Sequence, residues 1–301
     1  MDRPIPADAS RFAVGFATAG RRELLTETVK ELGRQTRPPD EILICPATPD
    51  DVDETAIRAL ATCPVKILHG PRGLPAQRNM ILAATEADLL VFFDDDFFMA
   101  PTWLEQAERL LQERADVLML TGEVIADGAP NQGYDAETAR SLLAADRPPT
   151  DTAPIRKYNA YGCNMAFKMA PVRAANLRFD EALPLYGWLE DVDFSRALVA
   201  RGGLILRTPL CRGVHLGTKG GRTSGLRYGY SQIANPLHLA RKGTMTPWRA
   251  AWQMAQNLGA NWTKVLKPEP WVDRRGRVKG NFIGLMDLLR GRLRPQNILN
   301  L

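Results

Sequence analysis

Short apolar runs alternate with amphipathic stretches through the first half of the chain. Phe12 to Ala17, Ile42 to Cys45, Val65 to His69, Leu89 to Phe93 and Val117 to Val124 read as strands. Between them, Val52 to Ala61, Pro75 to Glu86 and Pro101 to Arg114 carry helical spacing, with Pro101 suited to a first helical turn. After the first strand comes a turn, Thr18-Ala19-Gly20, and then a helix with apolar positions at Leu24, Leu25, Val29 and Leu32. A strand, a loop and a helix start in that order place backbone N–H groups where a phosphate or nucleotide is received. Strand–helix alternation of this kind predicts an α/β fold with a largely parallel sheet and helices on both faces. Ligands then lie at the carboxyl ends of the strands. Further on, Leu204 to Arg207 reads as a strand, and Gly128 to Ala153, rich in Gly, Asp, Pro and Thr, as the flexible stretch.

The 301 residues, 45% hydrophobic, can bury a full core as one large domain or as a domain with an appendage. No apolar run approaches the roughly 18 residues of a membrane span, and Met1 to Ser10 is polar and Pro-rich. Neither secretion nor membrane insertion is expected. Cys45, Cys63, Cys163 and Cys211 form no CxxC pair, so neither zinc nor a disulfide framework is indicated and a reduced cytoplasm fits. The net charge of +5 hides a division: residues 1–200 hold 21 Lys/Arg against 31 Asp/Glu, and residues 201–301 hold 18 against 3. The basic last third is suited to phosphates, anionic lipid or nucleic acid.

Asp94, Asp95 and Asp96 close the run Leu89–Phe93. Three adjacent carboxylates repel one another unless cations offset them. The cluster therefore reads either as a solvated acidic turn or as a site for a divalent metal, and oxygen ligands favour Mg²⁺ or Mn²⁺. Glu190, Asp191 and Asp193 form a second acidic group near the start of a helix carrying Phe194, Ala197, Leu198 and Ala200. Such charges can simply complement the helix dipole.

The segments Val14 to Leu32, Gly73 to Asn79 (GLPAQRN), FFDDD with Pro101 five residues beyond Asp96, and Trp188 to Phe194 (WLEDVDF) stand in the order and spacing of family 2 glycosyltransferases, which the chain resembles over about residues 11–240. The resemblance implies the GT-A fold, a Rossmann-like nucleotide-binding sheet with helices on both faces. It implies Mn²⁺ or Mg²⁺ as cofactor and a nucleoside-diphosphate sugar as donor, UDP-linked in the first instance. Asp94 and Asp96 match the outer carboxylates of a DxD motif, the first toward the nucleotide and the last toward the metal, with Asp95 between them. Thr18 matches the nucleotide-binding turn and Arg78 an arginine near the diphosphate. Asp191 matches the general base of an inverting transfer, with Glu190 as its alternative or partner. His215 matches a further metal or diphosphate contact. Tyr158 to Phe167 matches a small-residue strand beside the donor sugar, in which Gly162 permits close approach and Asn164 offers hydrogen bonds. Tyr161 and Trp188 offer stacking faces, and Lys219 and Arg222, in a glycine-rich loop that Arg227 follows, offer cations to the diphosphate. One departure is clear: where the family often has an acidic residue contacting the base, this chain has Pro46, so that either Asp50 or Asp51 substitutes from further along the loop or the base is held differently.

Residues 243–301 differ in texture from residues 1–242, mixing Trp248, Trp252 and Met254 with Arg249 and Lys264, and Phe282 to Leu289 with Arg290, Arg292 and Arg294. This basic helical extension fits a membrane interface, packing on the first domain, or a homo-oligomer contact. The KGN…LLRGRL tail resembles those of bacterial enzymes that build exported polysaccharides or surface glycans. A glycan or lipid-linked saccharide acceptor follows, with the protein at the inner face of the membrane and no nucleic-acid partner expected. The competing readings are a nucleotidyltransferase and an inactive scaffold that binds anionic membrane or nucleic acid through the tail.

Overall fold

The computed structural model describes residues 10–220 and 223–301. The first part runs β1 (Phe12–Thr18), α1 (Arg22–Leu32), β2 (Glu41–Pro46), α2 (Glu54–Leu60), β3 (Val65–Ile67), α3 (Leu74–Ala84), β4 (Leu89–Phe93), β5 (Phe97–Met99), α4 (Trp103–Glu113) and β6 (Val117–Asp127). It continues with α5 (Ala136–Ala145), β7 (Ile155–Arg156), β8 (Asn164–Lys168), α6 (Met169–Ala174), α7 (Glu190–Val199) and β9 (Leu204–His215). Three longer helices follow, α8 (Gly225–Lys242), α9 (Pro247–Lys264) and α10 (Arg274–Leu289).

The described strands form one mixed sheet in the order β3-β2-β1-β4-β8-β6-β9-β5, with β7 also on β9. The strands β1 to β4 are parallel to one another, as expected, and β6 is parallel to β9. The remaining pairs are antiparallel: β8 lies antiparallel between β4 and β6, and β5 and β7 lie antiparallel on β9. Apolar periodicity reports burial and not direction, so the alternation alone overstated the parallel share. The stretch expected to be flexible contains α5, capped by the Asp135 carboxylate, which accepts from Thr138 N at 2.7 Å. Its apolar face is weak because Ala139 is the one residue the helix buries.

Both faces of the sheet are covered. Phe12, Val14 and Phe16 point into one core with Leu25 and Val29 of α1 and Trp103 and Leu104 of α4. Ala13, Leu43 and Phe92 point into the other with Ile81 of α3 and Phe194 and Leu198 of α7. Each large side chain buried in this way contributes about 1.5–3 kcal/mol, so the sheet is a rigid platform for the loops at its carboxyl edge.

The last three helices are tied to one another through backbone. A Cβ at Gly229 of α8 would lie 2.1 Å from the Arg277 carbonyl of α10, and one at Gly280 2.0 Å from the Leu226 carbonyl. Only glycine permits that approach. A buried amide network, Asn261 to Gln232 (2.8 Å) and Asn281 (2.9 Å), fastens α9 to the pair. Among the described residues no helix is long and apolar enough to cross a membrane.

Candidate active site

Because β1 and β4 are parallel neighbours, Thr18 and the three aspartates emerge at the same sheet edge. Thr18 Oγ1 donates to Asp95 Oδ2 at 2.7 Å, and Arg21 Nη1 donates to Asp95 Oδ1 at 2.8 Å while lying 3.3 Å from Asp96 Oδ2. Arg21 occupies the N-cap of α1, where a guanidinium, having no acceptor, cannot cap the helix; it is turned to the aspartates instead. Burial pushes Asp95 up, Arg21 pulls it down and Asp96 pushes it up again, leaving it at about 6. For Asp96 burial acts in the same direction, but His215, Arg21 and the Thr218 N–H, 2.9 Å from Oδ2, hold it well below the usual carboxylate range.

The pairing of Phe97 with His215 between β5 and β9 brings the imidazole back over the cluster. Donor atoms of Asp94, Asp96 and His215 all lie within 4.8 Å of one another. His215 Nε2 is 3.3 Å from Asp96 Oδ1, and Nδ1 is 2.9 Å from Asp127 Oδ1, which orients the ring as an outer carboxylate orients a metal-binding histidine. Burial pulls His215 down, but the Asp127 and Asp96 contacts outweigh it and lift it to about 10. Asp96 Oδ1 is buried without a hydrogen-bond partner. An orphaned carboxylate oxygen beside a second carboxylate and an oriented imidazole fits Mn²⁺ or Mg²⁺.

The second acidic group meets the first across residues 162–163. Arg78, 1% exposed, is packed against Phe92 and Phe179, its guanidinium 5.2 and 5.5 Å from the two ring centres. It donates to Glu190 Oε1, to the Gly162 carbonyl at 2.9 Å and to Asp94 Oδ1 at 3.2 Å. The Gly162 N–H donates to Asp191 Oδ2 at 3.0 Å, and the Asp94 N–H to the Cys163 carbonyl at 3.1 Å. A Cβ at Gly162 would sit 3.2 Å from Glu190 Oε1 and 3.4 Å from the Asp191 Cβ, so glycine is what lets the two carboxylate groups close on this segment. Burial raises Glu190 to about 8 against the pull of Arg78. Burial also raises Asp191, countered by the Gly162 N–H and Arg78. Leu189, the residue before them, holds φ +74°, a left-handed conformation that strains a leucine and turns both carboxylates inward at the start of α7.

The model of glycosyl transferase family 2 matches residues 14–173, just over half of the chain. The chain belongs to that family. No curated protein matches it. Among solved structures it is similar to the Pyrobaculum calidifontis mannosyltransferase PcManGT in complex with GDP-Man and Mn²⁺ (14% identity, 99% of this chain and 87% of that one, TM-score 0.57). It is similar also to S. aureus TarS 1-349 with UDP (16%, 86% and 76%, 0.55) and to GalNAc-T7 with UDP, GalNAc and Mn²⁺ (16%, 94% and 59%, 0.56). The chain spans 40% of the longer TarS chain. At these identities the likeness establishes the shared GT-A fold.

Seen as a family 2 transferase, the protein places the remaining expected residues unevenly. Thr18, Asp94 and Asp95 border a cavity of about 260 Å³ that Arg21, Arg72 and Arg227 also line. Asn164 is turned into the sheet, its Oδ1 accepting from Thr121 Oγ1 and from Gly122 N at 3.0 Å, and its buried Nδ2 faces no partner. Trp188 packs toward α8, 5.6 Å from the Tyr228 ring. Lys219 donates to the carbonyls of Gly128 (2.9 Å) and Ala129 (3.1 Å), clamping that loop. Arg222 lies outside the described residues. Asp51 accepts from Gly20 N at 2.7 Å and from Thr48 N at 2.8 Å, bracing the nucleotide-side turn, while Asp50 is exposed. Sequence reasoning missed Asp127 and Arg72, and also Arg21, directly after the turn, and Gln77, whose amide ties the carbonyls of Thr18 (2.9 Å) and Cys45 (2.6 Å). The signal for Gln77 was its place inside GLPAQRN, one residue before Arg78.

A second, larger cavity of about 460 Å³ is lined by Tyr158, Tyr161, Lys157 and Arg207. Tyr161 joins it to the acidic centre, with its ring edge-on to His215 at 5.9 Å and its hydroxyl 3.2 Å from Asp127.

Proposed function

We propose that the protein is a metal-dependent inverting hexosyltransferase that moves a sugar from a nucleoside-diphosphate sugar, a UDP-sugar being the first to test, to a hydroxyl of a glycan or lipid-linked saccharide. The observation that carries this reading is the meeting of the Asp94–Asp96–His215 group and Asp191 across Gly162. Asp94, Asp96 and His215 would hold Mn²⁺ or Mg²⁺, and a bound divalent ion offsets the negative charge that a departing diphosphate gains. Arg21, Arg72 and Arg227 add cations around the donor cavity. Asp191 takes the proton of the acceptor hydroxyl as its oxygen bonds to the anomeric carbon and the carbon–oxygen bond to the diphosphate breaks. One displacement of this kind inverts the anomeric centre. Arg78 holds Glu190 and Asp94 in place and keeps the carboxylates around it from repelling one another. Glu190, raised by burial, is suited to a hydrogen bond with a sugar hydroxyl.

The neighbours with UDP and with GDP-Man carry different bases, so the donor is tested as a panel. Thermal shifts are measured for UDP, GDP, dTDP, ADP and CMP, each with and without Mn²⁺. One nucleoside diphosphate should stabilise the wild type with metal only, by about 2.7 kcal/mol at 100 times its Kd, and Asp96→Ala should lose the gain. Equal shifts without metal, or none for any nucleotide, would remove this reading.

A further inference from the structure

The outward side of α9 carries an aromatic stripe that neither the fold nor the catalytic site uses. Trp248, Trp252 and Trp262 are 74%, 55% and 61% exposed. At 3.6 residues per turn they fall within about 80° of arc on one helix face. Trp248 and Trp252 stack with ring centres 6.3 Å apart, and Leu266, just beyond the helix end, is 90% exposed. A contiguous exposed apolar strip on a protein of this size marks an interaction surface.

Its surroundings identify the partner. Residues 201–301 carry 18 Lys/Arg and only Glu269, Asp273 and Asp287 as acids, and all three acids are engaged within the chain. Glu269 pairs with Lys264 and Arg274, Asp287 with Arg292 at 2.7 Å, and Asp273 accepts from Gly276 N to cap α10. What remains is an excess of cations in this part of the chain, with Arg241 near the end of α8, Lys267 just beyond α9 and Arg275 in α10 exposed. Trp favours the headgroup level of a bilayer, and each Lys or Arg near an anionic surface adds to the attraction. A second copy would set one cationic face against another, and a nucleic-acid duplex, its bases already stacked, would leave Leu266 and the stripe of indoles without apolar contact.

The stripe also leads toward the site. Arg249, next to Trp248, lies 4.0 Å over the Tyr158 ring, and Tyr158 lines the 460 Å³ cavity that Tyr161 joins to the acidic centre. We infer that the outward face of α9 docks the protein on an anionic lipid bilayer, with the Tyr158–Tyr161 cavity opening beside the docked face to receive the head of a lipid-linked acceptor. The second half of this statement rests on the transferase reading; the docking does not.

The test is co-sedimentation of the full chain with vesicles of phosphatidylcholine alone or with 30% phosphatidylglycerol (on the order of the anionic content that gives a strong surface potential), with tryptophan emission followed in parallel. Wild type should bind the anionic vesicles with a blue-shifted emission and be released by high salt. The Trp248→Ser/Trp252→Ser/Trp262→Ser variant should bind at least tenfold more weakly (~1.4 kcal/mol or more) with its melting point unchanged. The docking is overturned if wild type stays in solution, binds neutral vesicles equally well, or is matched by the triple variant. It is overturned too if light scattering shows a dimer that the triple variant dissolves, or if DNA or RNA displaces wild type from vesicles with no change in tryptophan emission. Transfer to a lipid-linked acceptor in vesicles should fall in the triple variant while transfer to its water-soluble analogue does not; an equal fall would remove the acceptor clause. Vesicle binding with no nucleotide response in any variant would sink the transferase and leave the docking intact.

Discussion

The acidic centre and the α9 face treat charge in opposite ways. At the centre, Asp95, Asp96 and Glu190 are buried and Asp191 half-buried, and their partners come from the chain itself: Arg21, Arg78, His215 and the N–H groups of Gly162 and Thr218. Near α9, Arg241, Lys267 and Arg275 stand in solvent, as do the indoles of Trp248, Trp252 and Trp262. Buried charge has to be satisfied internally, because an unpaired buried ion costs several kcal/mol, so each partner there bears on the chemistry. Exposed charge costs little to leave unpaired, so its pattern reports what the protein meets outside. The first region is therefore sensitive to single isosteric changes, and the second to changes of several residues together.

The largest effect is expected at Asp191. Asp191→Asn keeps shape and removes the proposed base, and turnover should fall by roughly 10²- to 10⁴-fold while metal-dependent nucleotide binding is unchanged. Retained turnover, measured as nucleoside diphosphate released, would move the base elsewhere. Next comes Arg78→Met, which keeps apolar contact with Phe92 and Phe179 but leaves Glu190 and Asp94 without their shared cation. Chemical denaturation should show a loss of about 3–5 kcal/mol, the size seen when one partner of a buried pair is removed. A loss under about 1 kcal/mol would mean that the centre tolerates unpaired charge, and the contrast with the α9 face would fail.

A smaller effect is read from pH. A general base works deprotonated, so kcat/KM falls on acidification through the pKa of Asp191, which burial has raised. The acid limb should therefore lie above the ~3.9 of an unperturbed aspartate, falling about tenfold per pH unit below it. Asp191→Asn should lack that limb in its residual activity. A wild-type profile flat down to pH 4 would place the base at a group that burial has not perturbed.

Much of this was legible in the chain before any coordinates. The β1-to-β4 half could be read because buried parallel strands are continuous apolar runs, and the three aspartates mark the end of one of them. What periodicity does not carry is direction and pairing. The short β5 and β7 were invisible, and β8 gave no sign that it runs against its neighbours. Asn164 shows the same limit at a single residue: a polar side chain in a small-residue strand suits a cleft and a sheet interior equally well, and here its carbonyl meets Thr121. His215 emerged from its motif, but Asp127, which orients it, lies far away in sequence and carries no local signal. Arg21 was hidden differently, since a charged residue at a helix start ordinarily reads as surface. The indole stripe was visible as composition, but its outward direction depends on which face α9 packs against α8 and α10.

The smallest expected effect separates two adjacent aspartates on the nucleotide-side loop, and it applies the same contrast at the scale of one turn. Asp51 resembles the acidic centre in being used by the chain: its two oxygens join Gly20 N to Thr48 N and Oγ1, bracing the β1 turn against the β2 loop. Asp50 is exposed, like the cations of α9. Asp51→Ala should cost about 1 kcal/mol of stability, as loss of a helix-capping carboxylate does, and should weaken nucleotide binding only through the loosened turn. Asp50→Ala should leave stability within about 0.5 kcal/mol, as an exposed change does. If Asp50→Ala instead weakened binding of one nucleotide base selectively, Asp50 would be the acceptor standing in for the acidic residue that Pro46 replaces, and an exposed charge here would be reading a ligand as those around α9 are proposed to read a membrane.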